Sequence, residues 1–344
     1  MVAVCDWLAK GAGTFARITV LAAAIAAGSA PAAAGARLLQ TSPHQFGTIS
    51  QYALPGCGGC EPIGIAPGYR HDLWFSTFLP GAVYRMDLAG GLTAFPVGGN
   101  NYGIAHGLRG RMWFASRADG GSIGWIDENG VSGTALKGYD PLFLAPGPAG
   151  SMWFSDFSGA IGALPFGTHK AATFQLPAGH SPEQLVAGPD GNVWFTEETQ
   201  SYPNVIGRLT PSGQLTEFPL PGQDNDVNGI AVGSDGNLWF TASNATDTQG
   251  LIGRCTTSGQ ITMFPVPNAD PYLWGIAAGP DDDLYFTDLA GAIGRISLPS
   301  VTITEYAVPN EYGSSVPLDI VMGADKNMWF TLPGVGAVGR FATR

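Results

Sequence analysis

Charged residues are scarce in this chain of 344 residues and make up 12% of it. Lysine and arginine together number 16 and form no run, and the net charge is −11. Nucleic acid and anionic membrane surfaces are therefore poor candidate partners, because both require clustered positive charge. Few charges and 50 glycines also disfavour long surface helices and indicate many turns.

Long apolar segments are also missing, with one short exception near the start. Lys10 and Arg17 lead into an apolar stretch at 18–30 that ends in alanine-rich sequence. A helix needs about 20 apolar residues to span a bilayer, and this stretch is shorter. Positive residues, a short apolar core and small residues are typical of a secretory signal. We therefore expect a signal peptide at 1–34, a linker at 35–45, and a secreted or periplasmic protein with no transmembrane segment after cleavage.

Cysteine is rare, with four in the chain. Cys5 lies in the predicted signal, which leaves Cys57, Cys60 and Cys255. In an oxidising compartment the closely spaced pair predicts a local disulfide between Cys57 and Cys60. The alternative, a redox centre or a soft-metal clamp, lacks a second CxxC motif and a following histidine. Cys255 is predicted to be a buried small apolar residue.

An aromatic pair repeats along the chain. Seven pairs recur 39 to 46 residues apart, at Trp74-Phe75, Trp113-Phe114, Trp153-Phe154, Trp194-Phe195, Trp239-Phe240, Tyr285-Phe286 and Trp329-Phe330. A short apolar strand and a Gly/Asx turn precede each pair, and two further strands follow it. Such short strands, without helical periodicity, predict an all-β chain. Four strands in about 40 residues predict a propeller rather than a solenoid, with the aromatic pairs in its core rather than stacked on a ligand.

The two ends of the chain provide a test of this architecture. The last unit, at 316–342, reaches the C-terminus without a fourth strand. Residues 49–55 (ISQYALP) match the fourth strand of the preceding unit at 303–309 (ITEYAVP). Pairing the N-terminal strand with the last unit removes the exposed edges of an open ring. The sequence predicts an all-β, seven-bladed propeller of four-stranded blades over 46–344, closed by its N-terminal strand.

Some runs within the repeats resemble those of a known family. GPDGNVWFTE at 188–197 and IGRLT at 206–210 are similar to the virginiamycin B lyase (streptogramin lyase) family, and the resemblance covers about residues 46–342. It implies a seven-bladed propeller. Family lyases open a cyclic depsipeptide by metal-assisted elimination, using a histidine base and acidic groups that hold Mg²⁺ at the mouth of the ring. A base and a cation that stabilises the developing enolate are what such a proton abstraction needs.

The matching positions here lack those groups. The Glu-Pro-His motif before the family's last inner strand is matched by Val316, Pro317 and Leu318. The acid that follows the last aromatic pair falls near Pro333, and a substrate-contacting histidine one blade earlier is matched by Trp274. The resemblance thus implies the fold and argues against lyase activity.

Strand order predicts which residues face the mouth, the side of the ring where each inner strand begins. The entry residues are Ile63, Tyr102, Leu142, Glu183, Asn228, Trp274 and Leu318. The predicted ligand-binding residues are Tyr102, Glu183, Asn228 and Trp274, together with Tyr272. His180 is the one histidine expected to face a ligand and the candidate catalytic residue, and a solvated loop histidine is the competing interpretation.

Acidic residues gather at the mouth of the fourth and fifth blades, at Glu183, Glu197, Glu198 and Asp226. Glu183, Glu198 and Asp226 are the predicted metal ligands, because carboxylate oxygens from neighbouring strands suit Mg²⁺ or Ca²⁺, as in gluconolactonase-like propellers. The competing interpretation is a solvated rim of an acidic protein.

Two classes of function remain open. We favour a non-catalytic, monomeric, exported protein that binds a small molecule, glycan or peptide, because none of the seven entry residues of the inner strands is a histidine. The alternative is an enzyme with a divergent site, either a metal-dependent lyase of the virginiamycin B type or a gluconolactonase-like hydrolase. Propellers carry both classes, so the fold does not choose between them.

Overall fold

The computed structural model describes residues 37–38, 45–54, 59–200, 203–222, 226–244, 248–267, 272–309 and 315–344. In these residues it has 29 strands and three 3₁₀ turns, at Pro148–Gly150, Pro280–Asp282 and Pro333–Val335. The strands form seven separate antiparallel sheets, which confirms the predicted seven-bladed propeller. No helix within the described ranges is long and apolar enough to cross a bilayer.

Six blades are contiguous in the chain. Blade 1 comprises β3 (Pro62–Pro67), β4 (Leu73–Thr77), β5 (Ala82–Met86) and β6 (Leu92–Pro96), blade 2 comprises β7 (Asn101–His106), β8 (Arg111–Ser116), β9 (Ser122–Asp127) and β10 (Ser132–Lys137), and blade 3 comprises β11 (Pro141–Gly147), β12 (Ser151–Asp156), β13 (Ala160–Pro165) and β14 (Ala172–Gln175). Blade 4 comprises β15 (His180–Ala187), β16 (Val193–Thr199), β17 (Val205–Leu209) and β18 (Leu215–Pro219), blade 5 comprises β19 (Val227–Val232), β20 (Leu238–Ser243), β21 (Gly250–Cys255) and β22 (Ile261–Pro265), and blade 6 comprises β23 (Leu273–Ala278), β24 (Leu284–Asp288), β25 (Ala292–Ser297) and β26 (Thr302–Ala307). The first strands of neighbouring blades contact one another and form the inner ring.

Blade 7 joins the two ends of the chain. It comprises β27 (Ile320–Met322), β28 (Met328–Leu332), β29 (Ala337–Phe341) and the N-terminal β2 (Ile49–Ala53). β2 pairs antiparallel with β29, with Gln51 opposite Gly339, so the predicted closure is confirmed. A two-residue strand, β1 (Arg37–Leu38), pairs with the outer edge of β2. It lies in the segment predicted as a linker.

The aromatic pairs form the core between blades, as predicted, and all seven are buried. In blade 5, Trp239 stacks on Phe264 of the outer strand with ring centroids 5.8 Å apart, and the Arg254 guanidinium lies 5.7 Å from the Trp239 ring. Steric hindrance explains why the third-strand Ile-Gly-Arg motif has glycine at its centre. A side chain at Gly253 would collide with the ring of Phe240.

Hydroxyl groups link the inner strands around the ring. A register shift between Val227 and Ile230 leaves the Gly229 N–H free to donate to Thr241 Oγ1 at 2.8 Å. Thr241 Oγ1 in turn donates to the Trp274 carbonyl of the next blade at 2.6 Å. Equivalent donations run from Ser76 to Tyr102, Thr196 to Asn228, Thr287 to Leu318 and Thr331 to Ile63. The acceptors are the entry residues, so these bonds fix the backbone at the mouth.

Candidate functional site

Five of the seven entry residues are buried in one apolar cluster. They are Ile63, Tyr102, Leu142, Trp274 and Leu318, and they come from five different blades. Tyr102 is 6% exposed and Trp274 is 8% exposed, so little of either ring is open to a ligand. Ligand binding by either residue stays a prediction.

A partly exposed ion pair lies beside Tyr102. Arg117 Nη2 donates to Asp140 Oδ2 at 2.7 Å. The Arg117 guanidinium also lies 4.5 Å from the Phe157 ring and 5.5 Å from the Tyr102 ring. Burial raises the pKa of the Tyr102 phenol, and the charge of Arg117 partly offsets that rise. Arg117 thus brings a positive charge to a mouth that the sequence predicted to be acidic.

The predicted acidic cluster is close enough for its members to interact. Burial raises the pKa of Glu183 to about 8, although the charge of Arg117 acts to lower it. Burial also raises the pKa of Glu198, and the carboxylates of Glu183 and Asp226 raise it further. The carboxyl groups of Glu183 and Glu198 therefore lie in a low-dielectric region, with Asp226 close enough to Glu198 to act on it. Their role as Mg²⁺ or Ca²⁺ ligands stays a prediction.

The two remaining predicted ligand-binding residues lie where the inner strands of blades 5 and 6 begin. Asn228 is the second residue of β19, and Tyr272 directly precedes β23. Asn228 Nδ2 donates to the Leu273 carbonyl at 2.9 Å, so its amide bridges the two blades. Tyr272 is half-buried directly before β23, and its carbonyl accepts the Leu289 N–H at 2.9 Å.

His180 contacts two acids, one of which, Glu197, the sequence places at the mouth. Its Nδ1 lies 2.6 Å from Glu197 Oε1 and 3.2 Å from Glu217 Oε1. Burial raises the pKa of Glu197 to about 8, and the Glu217 carboxylate adds to the rise. Across the part of the chain that the structure describes, this is the one group of three whose possible ligand atoms all lie within 4.8 Å of one another. Sequence reasoning counted Glu197 among the acids at the mouth, but it did not assign Glu217 to a site.

The family's catalytic positions hold groups that can neither accept a proton nor bind a metal. Leu318 and Trp274 are buried in the apolar cluster. Val316 precedes Leu318 by two residues, and Pro333 begins a 3₁₀ turn after β28. None of these four side chains offers a carboxylate or an imidazole, so they do not fit the Mg²⁺ that the resemblance implies.

Asp319, the one acid beside Leu318, is occupied by the backbone. Its Oδ2 accepts the Ile65 N–H and its Oδ1 accepts the Ile320 N–H, both at 3.0 Å. Burial raises the pKa of Asp319 to about 6, although these two hydrogen bonds act to lower it. This carboxyl group therefore ties blade 7 to blade 1.

The cysteines agree with their predictions as far as they are described. Cys255 is free and buried, as expected, and burial raises the pKa of its thiol to about 12. Cys60 is buried and disulfide-bonded, with its Sγ 3.7 Å from the Tyr84 hydroxyl. Cys57 and the predicted signal peptide lie outside the described residues, so the Cys57–Cys60 pairing stays a prediction.

Comparisons with known proteins agree with this architecture. The model of the Virginiamycin B lyase family matches residues 97–344. A streptogramin B lyase structure is 27% identical with a TM-score of 0.76, covering 85% of this chain and 96% of that one. Selenomethionine-substituted virginiamycin B lyase from Staphylococcus aureus is 28% identical with a TM-score of 0.75, covering 85% and 98%. A catalytically inactive histidine-to-alanine variant of the same enzyme, crystallised with quinupristin, gives the same four values. No curated protein sequence matches this chain.

Proposed function

The chain belongs to the virginiamycin B lyase family, and we propose that within this family it is an exported binding protein that does not catalyse ring opening. The observation that carries the proposal is the side-chain chemistry at the four catalytic positions of the family. They hold Val316, Leu318, Pro333 and Trp274. The apolar stretch at 18–30, typical of a secretory signal, supports export.

Elimination from a depsipeptide needs a base and a stabiliser for the enolate. A positioned general base contributes about 10² to 10⁴ in rate, and a metal ion contributes several kcal/mol of charge stabilisation. Leu318 stands where the base would be and is buried among other apolar side chains. The loss of both contributions at one site leaves a surface that can hold a ligand but has no group to activate it.

The mouth favours a ligand with several hydrogen-bonding groups. Glu183 and Glu198 supply carboxyl groups beside Arg117. Tyr272 is half-buried at the same mouth and offers an aromatic surface. A small molecule, a glycan or a peptide can meet these requirements. The titrations below use a probe from each class.

Calorimetric titration tests this proposal with quinupristin, maltotetraose and tetralysine. At least one probe should bind, and Glu183→Gln or Tyr272→Ala should weaken that binding. Tyr69→Ala is the matched control, because Tyr69 is an aromatic residue, 47% exposed, in a turn on the opposite side of the ring. A probe affinity that is unchanged in both mouth variants would contradict the proposed site. Chemical conversion of a probe that is lost in His180→Ala would support the enzyme alternative.

A further inference from the structure

A compact group of three side chains in blade 4 lies apart from the family's catalytic positions. His180 is the first residue of β15, Glu197 lies on β16, and Glu217 lies on the outer strand β18. One possible ligand atom from each lies within 4.8 Å of the other two. The backbone holds His180 in place, because its N–H donates to the Pro177 carbonyl at 3.1 Å.

The carboxyl groups of this cluster have no balancing lysine or arginine among the described residues. Glu197 is 0% exposed. Within the described ranges its Oε2 has no hydrogen-bond partner, and neither Glu197 nor Glu217 forms an ion pair with lysine or arginine. His180 Nδ1 is the partner of Glu197 Oε1, and a buried carboxylate oxygen that is left without a partner, as Oε2 is, is costly. The site therefore requires either a shared proton or a bound cation.

We propose that His180, Glu197 and Glu217 bind a divalent first-row transition metal, with Zn²⁺ as the fitting ion. An imidazole nitrogen with two carboxylates matches Zn²⁺, whereas Mg²⁺ and Ca²⁺ prefer oxygen ligands alone. Three protein ligands leave the fourth tetrahedral position to water. The ion would connect the first, second and fourth strands of blade 4.

The geometry accommodates such an ion after a small adjustment. With metal–ligand bonds of about 2.0–2.1 Å, neighbouring atoms of a tetrahedral site lie about 3.3 Å apart. The His180–Glu217 pair is already at 3.2 Å, and the His180–Glu197 pair at 2.6 Å has to lengthen. The side chains of His180 and Glu217 are 20% and 27% exposed, so an ion can enter from solvent.

Calorimetry with Zn²⁺ on the full mature chain, stripped of metal and freed of any affinity tag, tests the site. We expect one Zn²⁺ per chain, a rise of several degrees in melting temperature, and no comparable response to Mg²⁺ or Ca²⁺. Co²⁺ should give the visible absorption of a four-coordinate site. His180→Ala should weaken Zn²⁺ binding at least about 100-fold, because changes to supporting residues alone cost 10- to 100-fold.

Two matched variants separate ligation from general damage. Glu305 occupies the place in β26 that Glu217 occupies in β18, since each lies opposite the glycine of the neighbouring strand. Glu217→Gln should lose Zn²⁺ binding, and Glu305→Gln should retain it. His106→Ala, at an exposed histidine on the opposite side of the ring, should also retain it. Equal Zn²⁺ affinity in wild type and His180→Ala, or no binding by folded wild type, would overturn the proposal and leave a shared proton in the cluster.

Discussion

Replacing Thr241 by valine tests the hydroxyl links between blades. Thr241 is fully buried, accepts the Gly229 N–H at 2.8 Å and donates to the Trp274 carbonyl at 2.6 Å. Valine has nearly the same shape, so the change deprives one N–H and one carbonyl of this partner while the packing is kept. Each buried group that loses its partner costs about 1–3 kcal/mol. For these two groups we therefore expect Thr241→Val to lower the free energy of unfolding by about 2–6 kcal/mol.

Equilibrium unfolding in urea measures this difference, provided that the transition is two-state. Thr262→Val is the control, because Thr262 is exposed on the outer strand of the same blade and surface substitutions usually change stability by less than about 0.5 kcal/mol. Equal effects of the two variants would refute the claim that these hydroxyl groups hold neighbouring blades together.

Three further predictions concern closure, the disulfide and pH. Deleting residues 46–55 should expose the edge of β29 and cause aggregation or a large drop in melting temperature, whereas a stable monomer would contradict ring closure. Cys57 and Cys60 should form a disulfide in the exported protein, and this bond should stabilise the fold by on the order of 2 kcal/mol or less. Two free thiols detected by mass spectrometry after non-reducing alkylation would count against this. Burial raises the folded-state pKa of Glu183 to about 8. The protonated side chain therefore contributes fully to the free energy of unfolding below the unfolded-state pKa of about 4.3, and this contribution is lost as pH rises through about 8. Glu183→Gln should therefore flatten the fall in unfolding free energy between about pH 5 and 8, and an unchanged slope would contradict the burial of this carboxyl group.

The fold could be predicted because its signals are local and repeated. An aromatic pair, a Gly/Asx turn and a glycine in the third strand occur within each unit, so the sequence shows every blade separately. The position of Gly253 against Phe240 explains why the third-strand motif recurs. Closure was predictable for the same reason, since 49–55 repeats the fourth-strand pattern. The strand Arg37–Leu38 has two residues, too few for a periodic pattern.

The candidate sites could be predicted only in part, because side-chain convergence depends on contacts across strands. Strand order placed the entry residues at or near the start of the inner strands, but it did not predict that Leu142 and Leu318 belong to one buried cluster. It also grouped His180 with the mouth acids. The structure pairs His180 with Glu197 of that group and also with Glu217, which lies three strands away in the same blade. The available sequence signal for this contact was the glutamate of the fourth-strand LTEF motif at 215–218, which is Glu217.

Incubation of quinupristin with excess protein and Mg²⁺ tests most directly the claim that this ring binds without opening a depsipeptide. Chromatography with mass spectrometry follows the reaction, because elimination changes retention at constant mass whereas hydrolysis adds one water. The absence of a base at Leu318 and of metal ligands at Val316 and Pro333 predicts that quinupristin stays intact at the rate of a protein-free blank. Rapid formation of the linear isomer that depends on Mg²⁺ would contradict this account.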